Sequence, residues 1–122
     1  MSKPLFERIG GNAAVIATVI KMYDKILDDD LLAPFFENVD VERLRLSQSA
    51  FVTYAFGGPN RYTGNNMRTA HKSAVANGLS DVHFDRVDAH LKSAMGELNV
   101  PADLIAEALA IVGSTRADVL GK

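Results

Sequence analysis

Met67-Arg68-Thr69-Ala70-His71-Lys72-Ser73-Ala74-Val75 is the stretch on which the reading of this chain turns. Its apolar positions, Met67, Ala70/His71 and Ala74/Val75, recur at helical spacing. The spacing predicts a helix with the His71 imidazole on the face a core side chain would occupy. Outward from this stretch, two more helical stripes carry a polar residue in an apolar place. Tyr23 follows Val15, Val19 and Met22, and Gln48 lies between Leu44 and Phe51/Val52. Unpaired polar groups are costly to bury. Three of them, from separate helices, point to something polar or metallic inside the core. Each residue alone has a plainer reading: a satisfied core histidine, a rim tyrosine with its hydroxyl in water, a glutamine facing solvent.

The rest of the chain is punctuated as helices. Pro4 to Ile9 reads as a short opening turn stopped by Gly10-Gly11. Asn12 is the expected N-cap of a helix to about Leu27, with Val15, Val19, Met22/Tyr23 and Ile26 inward. Asp28-Asp29-Asp30 reads as a solvated corner without the glycine and distal glutamate of an EF-hand loop. Leu31 to Phe36 reads as a short helix that the aspartate run could begin, a compact corner marked by Pro34, whose Phe35 and Phe36 are plain core or a face for a flat cofactor. Asp40 caps a helix from about Val41 to Phe56 that Gly57-Gly58-Pro59 ends, and no Lys-Ser/Thr follows to make these glycines a phosphate loop. Asn60 to Asn65 is a polar loop, and the His71 helix stops at Asn77-Gly78. Ser80 or Asp81 opens a long helix bearing Phe84, Val87, Leu91, Met95 and Leu98. Pro101 suits the first turn of the last helix, with Leu104, Ile105, Ala108, Ile111 and Val112 inward; Gly113 stops it and a short tail follows. No segment alternates at period two. The expected fold is all-α, with about six helices.

Composition sets the bounds. A chain of 122 residues is read as one domain, 1–122, able to bury a core without staples. Its 48% hydrophobic and 23% charged residues and formal charge of −2 are those of an ordinary globule, and no basic stripe suggests a nucleic-acid partner. The absence of cysteine excludes disulfides, thiolate catalysis and Cys-ligated metals, and is compatible with a reducing compartment. There is no apolar run of membrane-spanning length and no signal-peptide pattern, so a cytoplasmic location is the default expectation. A metal held by side chains alone looks poor: HExxH and 2-His-1-carboxylate spacings are missing, and His83 and His90 stand two turns apart. A single histidine suits a metal already held by a macrocycle. In haem the porphyrin supplies four nitrogens and the protein needs to supply only one axial ligand.

Several blocks, taken in order and at their intervals, resemble the truncated haemoglobins of the first group (N-type). They are Leu5-Phe6-Glu7-Arg8-Ile9-Gly10-Gly11, Phe35-Phe36, Phe51-Val52-Thr53-Tyr54-Ala55-Phe56-Gly57-Gly58-Pro59, Tyr62-Thr63-Gly64, Met67-Arg68-Thr69-Ala70-His71 and His83-Phe84. The resemblance covers almost the whole chain. It implies a truncated globin, a two-over-two helical sandwich around haem b. It also implies roles: His71 as the proximal iron ligand, Phe36 packed on the porphyrin, Tyr23 as the distal tyrosine, and Gln48 as its helper one turn along the distal helix. Leu44 takes the distal gate position, where other members carry Gln or another polar residue. Ser47 stands where cyanobacterial relatives have a second iron-binding histidine, so that route to six-coordinate iron is closed here. Tyr62 is the expected contact to a haem propionate, and Phe51, Met67 and Phe84 complete the expected cofactor contacts. Gly113 to Asp118 contains no histidine, so the covalent haem attachment of some cyanobacterial members is not expected, and His83 and His90 lie at no ligand position of the family.

The implied activity is reversible O2 binding at ferrous iron. A Tyr hydroxyl and a Gln amide donate to the charge that O2 draws from the metal in a dry pocket. Such hydrogen bonds contribute about 1.5–3 kcal/mol each, or roughly tenfold to hundredfold in dissociation, while CO carries less charge and gains less. The expected task is nitric oxide detoxification, with O2, NO and CO as ligands and Tyr23 and Gln48 as the working residues. Electrons come from an external reductase, since the chain has no room for a flavin or nicotinamide domain. Storage, delivery or sensing of gas without turnover uses the same residues. A haem-free helical module makes His71 merely structural, and a peroxidase lacks its distal His/Arg pair. A monomer or weak dimer is expected.

Overall fold

The α-helices of the computed structural model are Leu5–Arg8 (α1), Gly11–Leu27 (α2), Val41–Ala55 (α3), Asp81–Glu97 (α4), Ala102–Gly113 (α5) and Arg116–Leu120 (α6), over described residues 3–37, 40–58, 75–76 and 78–120. A single 3-10 turn, Ala33–Phe36, fills the corner between α2 and α3. No strand occurs among the described residues, so the all-α expectation is borne out. Helix α2 is central. It packs on α3 and on α4, α4 packs on α5, and α1 bridges α2 to α5. Two helix pairs therefore lie one over the other. His71 and the rest of its stretch up to Ala74, with Tyr62 and Met67, lie outside the described residues; Val75, which ends the stretch, is helical.

Helix α2 forms because its apolar residues follow the helical period. Val15, Thr18, Val19, Met22, Tyr23 and Ile26 are buried along one stripe. Thr18 joins that stripe by donating its hydroxyl to the Ala14 carbonyl, 2.7 Å away, so it brings no unmet donor into the core. Ile26, Leu32, Phe56, Met95 and Ala108 complete the interior. Each fully buried large apolar side chain contributes about 1.5–3 kcal/mol. On α5, Ala108 and Val112 are buried, and Leu104, Ile105 and Ile111 pack half-buried against them. Salt bridges tie the layers at the rim: Arg45 on α3 to Asp24 on α2 (3.3 Å), and Arg8 on α1 to Glu107 on α5 (2.5 Å).

Glycines and caps set the routes between helices. Gly57 has φ +84°, and Phe6 donates its N–H to the Phe56 carbonyl at 2.9 Å. A Cβ on Gly58 would stand 2.7 Å from the Phe6 ring, so only glycine lets α1 cross the end of α3 this closely. Asp40 caps α3 as expected, its side chain accepting from the Arg43 N–H at 3.3 Å. Two boundaries differ from expectation. Helix α2 starts at Gly11, with Gly10 (φ 121°) as N-cap and Asn12 already inside the helix. The residues beyond Gly113 form α6 instead of a tail. Arg116 reaches back to Asp81 (2.9 Å) and Asp85 (2.6 Å) on α4, and Leu120 is buried. These are contacts between segments far apart in sequence, which no local pattern displays.

Candidate functional site

Tyr23 stands in the buried stripe of α2, one turn beyond Val19. It is 4% exposed, so the reading of it as a rim tyrosine in water is overturned. Its ring meets Phe36 of the 3-10 turn edge-on, with centroids 5.9 Å apart and planes at 88°, the favoured arrangement for two aromatic quadrupoles. Phe36 and Leu44 are partly buried against the cluster that holds Tyr23, Phe51 and Phe84. Gln48 is half-buried on α3, one turn from Leu44 and from Phe51. Ser47 is exposed, because one residue along a helix rotates a side chain by roughly 100° off the stripe. Phe84, at the start of α4, is buried beneath the Arg116 guanidinium, which sits 4.4 Å from its ring centroid.

Two of the chain's three histidines belong to the frame. His83 accepts the Ser80 N–H on Nδ1 at 3.0 Å, which requires that nitrogen to be unprotonated. The same ring lies edge-on to Phe35, with centroids 4.9 Å apart. His90 Nε2 lies 2.7 Å from Asp29 Oδ2 and donates to it. No group of three metal-ligating side chains occurs among the described residues.

Asp29 corrects the expectation of a solvated aspartate corner. The residue is 6% exposed, and its carboxylate accepts from the Leu31 N–H (3.0 Å), Arg86 Nη2 (2.9 Å), Arg86 Nε (3.0 Å) and His90 Nε2. The Arg86 hydrogen bonds, followed by the His90 one, hold its carboxyl well below the usual carboxylate range. The signal in the sequence was Arg86 and His90 at i, i+4 on α4, a spacing that places two donors on one face. Which of three consecutive aspartates they meet is settled only by the corner.

Against known proteins, the family model for bacterial-like globins matches residues 4–120. A group 1 truncated haemoglobin of Synechocystis is 46% identical over 121 residues, covering 97% of this chain and 98% of that protein. The chain belongs to the group 1 truncated haemoglobins. Among solved structures, the 2/2 haemoglobin of a Synechococcus species, in the cyanomet state with covalently attached haem, superposes with a TM-score of 0.91. It is 46% identical, over 98% of this chain and 100% of that one. The truncated haemoglobin of Tetrahymena pyriformis in its Fe(III) form gives 0.88 at 38% identity, over 98% and 100%. The two stacked helix pairs are thus the two-over-two globin fold, and the family's cofactor is haem. The described residues fit that group. A buried tyrosine, a half-buried glutamine and an aromatic-aliphatic wall suit a flat, apolar macrocycle, and His83 and His90 are held elsewhere by hydrogen bonds.

Proposed function

We propose that this truncated haemoglobin binds O2 reversibly and serves to remove nitric oxide. The observation that carries this reading is Tyr23: a phenol buried to 4% and braced by the Phe36 ring. In this reading His71 is the proximal ligand, since the other two histidines are engaged by Ser80 and Asp29. Haem iron, when bound, supplies the reversible binding of diatomic gases and their redox chemistry. The chain supplies the surroundings. Tyr23 donates a hydrogen bond toward the gas ligand and Gln48 offers an amide as second donor. Leu44 has no donor, so polar recognition on this side falls to those two residues. Phe36, Leu44, Phe51 and Phe84 exclude water, which strengthens each hydrogen bond in the low local dielectric. Ser47 and the exposed face of α3 contribute no second histidine. Tyr62 and Met67 are proposed to complete the cofactor contacts.

The net conversion of NO and O2 to nitrate consumes one electron, so a separate reductase is part of the proposal. The chain is further proposed to act as a single domain, monomeric or weakly dimeric, in the cytoplasm. The first test is the absorption spectrum of the reduced protein with and without CO, beside His71→Ala. A histidine-ligated ferrous spectrum that shifts with CO and is lost in the variant is expected; no haem uptake by the wild-type protein would overturn the cofactor site. Rapid mixing of the oxygenated protein with NO then separates turnover from storage. Stoichiometric nitrate formed within the mixing burst supports detoxification, and slow reaction without nitrate overturns it in favour of gas storage or sensing.

A further inference from the structure

Asp29 makes more contacts than a connecting corner needs. Its N–H donates to the Ile26 carbonyl (3.1 Å), closing α2, and its own carbonyl accepts from Leu32 (3.0 Å) and Ala33 (2.8 Å). Its Oδ1 also takes the Leu31 N–H, an Asx turn that by itself shapes the bend. Yet the same carboxylate is gripped from α4 by the Arg86 fork and by His90. The Asp29 side chain is 2% exposed while that of Arg86 is 53% exposed, so α4 sends a long cation over the outside of a buried anion. Burying a charge costs desolvation, and a simple connector gains nothing by it. A two-pronged Arg–carboxylate pair instead fixes direction as well as distance.

What is fixed follows from the neighbours. His83, Arg86 and His90 stand at i, i+3 and i+7, on one side of α4, and all three meet the corner. His83 meets Phe35, while Arg86 and His90 meet Asp29. The next residue of the turn, Phe36, abuts Tyr23. A continuous path of contacts thus runs from α4 through Asp29 and the 3-10 turn to the phenol ring. We propose that Asp29, gripped by Arg86 and His90, is a positioning residue for the distal side of the haem pocket: it fixes the corner that seats Phe36 against Tyr23 and so orients the Tyr23 hydroxyl. This rests on Tyr23 being the distal residue, and the test separates the two claims.

Asp29→Asn keeps the shape and removes the charge, and Arg86→Met removes the fork from a half-exposed site. Each is made in the wild-type and in the Tyr23→Phe background. One readout is the NMR spectrum of ring-labelled tyrosine, with the exposed Tyr54 as internal control and Tyr23 assigned by Tyr23→Phe. The others are O2 dissociation and the C–O stretching frequency of the haem-loaded ferrous protein. The Tyr23 signal is expected to move while that of Tyr54 stays. O2 release is expected to quicken about threefold to tenfold, an effect absent from the Tyr23→Phe background. Variants that melt earlier but keep the wild-type Tyr23 signal and O2 release would overturn the proposal and leave a purely structural corner. If Tyr23→Phe alone leaves O2 release unchanged, the distal role of Tyr23 falls, and the NMR shift still decides whether the clamp positions the ring. Should Asp29→Asn fail to fold, Arg86→Met and His90→Gln carry the same expectations.

Discussion

Helix α4 meets carboxylates on two flanks, and the two environments act in opposite directions. On one flank Arg86 and His90 close on Asp29, whose oxygens both accept hydrogen bonds. On the other, Asp81, Asp85 and Asp88 stand at i, i+4 and i+7 on the helix, and Arg116 pairs with the first two. One oxygen of the half-buried Asp88 is shielded from solvent and takes no hydrogen bond among the described residues. Arg86 and His90 drive the Asp29 carboxyl down. Burial pushes the Asp88 carboxyl up, with Arg116 pulling against it and Asp85 adding to it. The more deeply buried group is the more easily ionised. Burial alone therefore does not set the sign; the supply of donors does. The flanks also stand behind different aromatics of the proposed pocket: Asp29 behind Phe36, and Arg116 over Phe84.

The comparison breaks most visibly at Asp29. Asp29→Ala leaves Arg86 and His90 facing a gap and the Leu31 N–H without its acceptor, and is expected to give the largest fall in Tm of the substitutions here, measured by calorimetry. The folded pKa of Asp29 lies below its ordinary value of 3.8. The stability it confers is therefore complete above that value and is lost progressively as pH falls below it. Asp29→Asn should accordingly show a flatter acid limb in a plot of Tm against pH; an unchanged acid limb would remove Asp29 from the account.

Asp88 sharpens the comparison from the other side. Its raised pKa means the folded protein holds the Asp88 proton more tightly than the unfolded chain does, so the ionised form opposes folding at neutral pH. Asp88→Asn should raise Tm at pH 7 by about 1–3 °C, and the gain should shrink as pH falls through the carboxylate range. A fall in Tm at pH 7 would show that the charge is useful where it stands. The smallest effect is expected at Arg116, whose ion pairs are solvent-screened. Arg116→Ala should shift Tm by about 1–2 °C at low salt, with the difference from wild type fading near 1 M salt, where the Debye length is about 3 Å. The Asp29→Ala difference should survive the same salt, because that carboxylate is out of water's reach.

How much of this was readable in advance depends on how far apart in the chain the causes lie. The stripe of Val15, Val19, Met22/Tyr23 and Ile26 is a property of consecutive residues at a period of 3.6, and it appears in the structure as expected. The Asp40 cap is as local. Local pattern points to Asn12 as N-cap, but the cap depends on the route by which α1 delivers the chain, and Gly10 takes it. Helix α6 differs from the expected tail because Arg116 finds its partners 35 and 31 residues upstream. At the site, the inward placing of Tyr23 was legible and its depth was not: the residue that covers its edge, Phe36, comes from another element.

By itself the sequence determined an all-α chain, its main helix faces and the short set of polar residues on them, because hydrophobic period, caps and glycine pairs act within a few residues. It also carried enough ordered motif to assign the globin family. Only the tertiary structure decided which charges are buried and which stand in water. Asp28, Asp29 and Asp30 are equivalent as letters, and Asp29 is singled out by Arg86 and His90, which are 57 and 61 residues away. A buried carboxylate is stable only where donors converge on it, and that convergence is created by packing α4 against the corner.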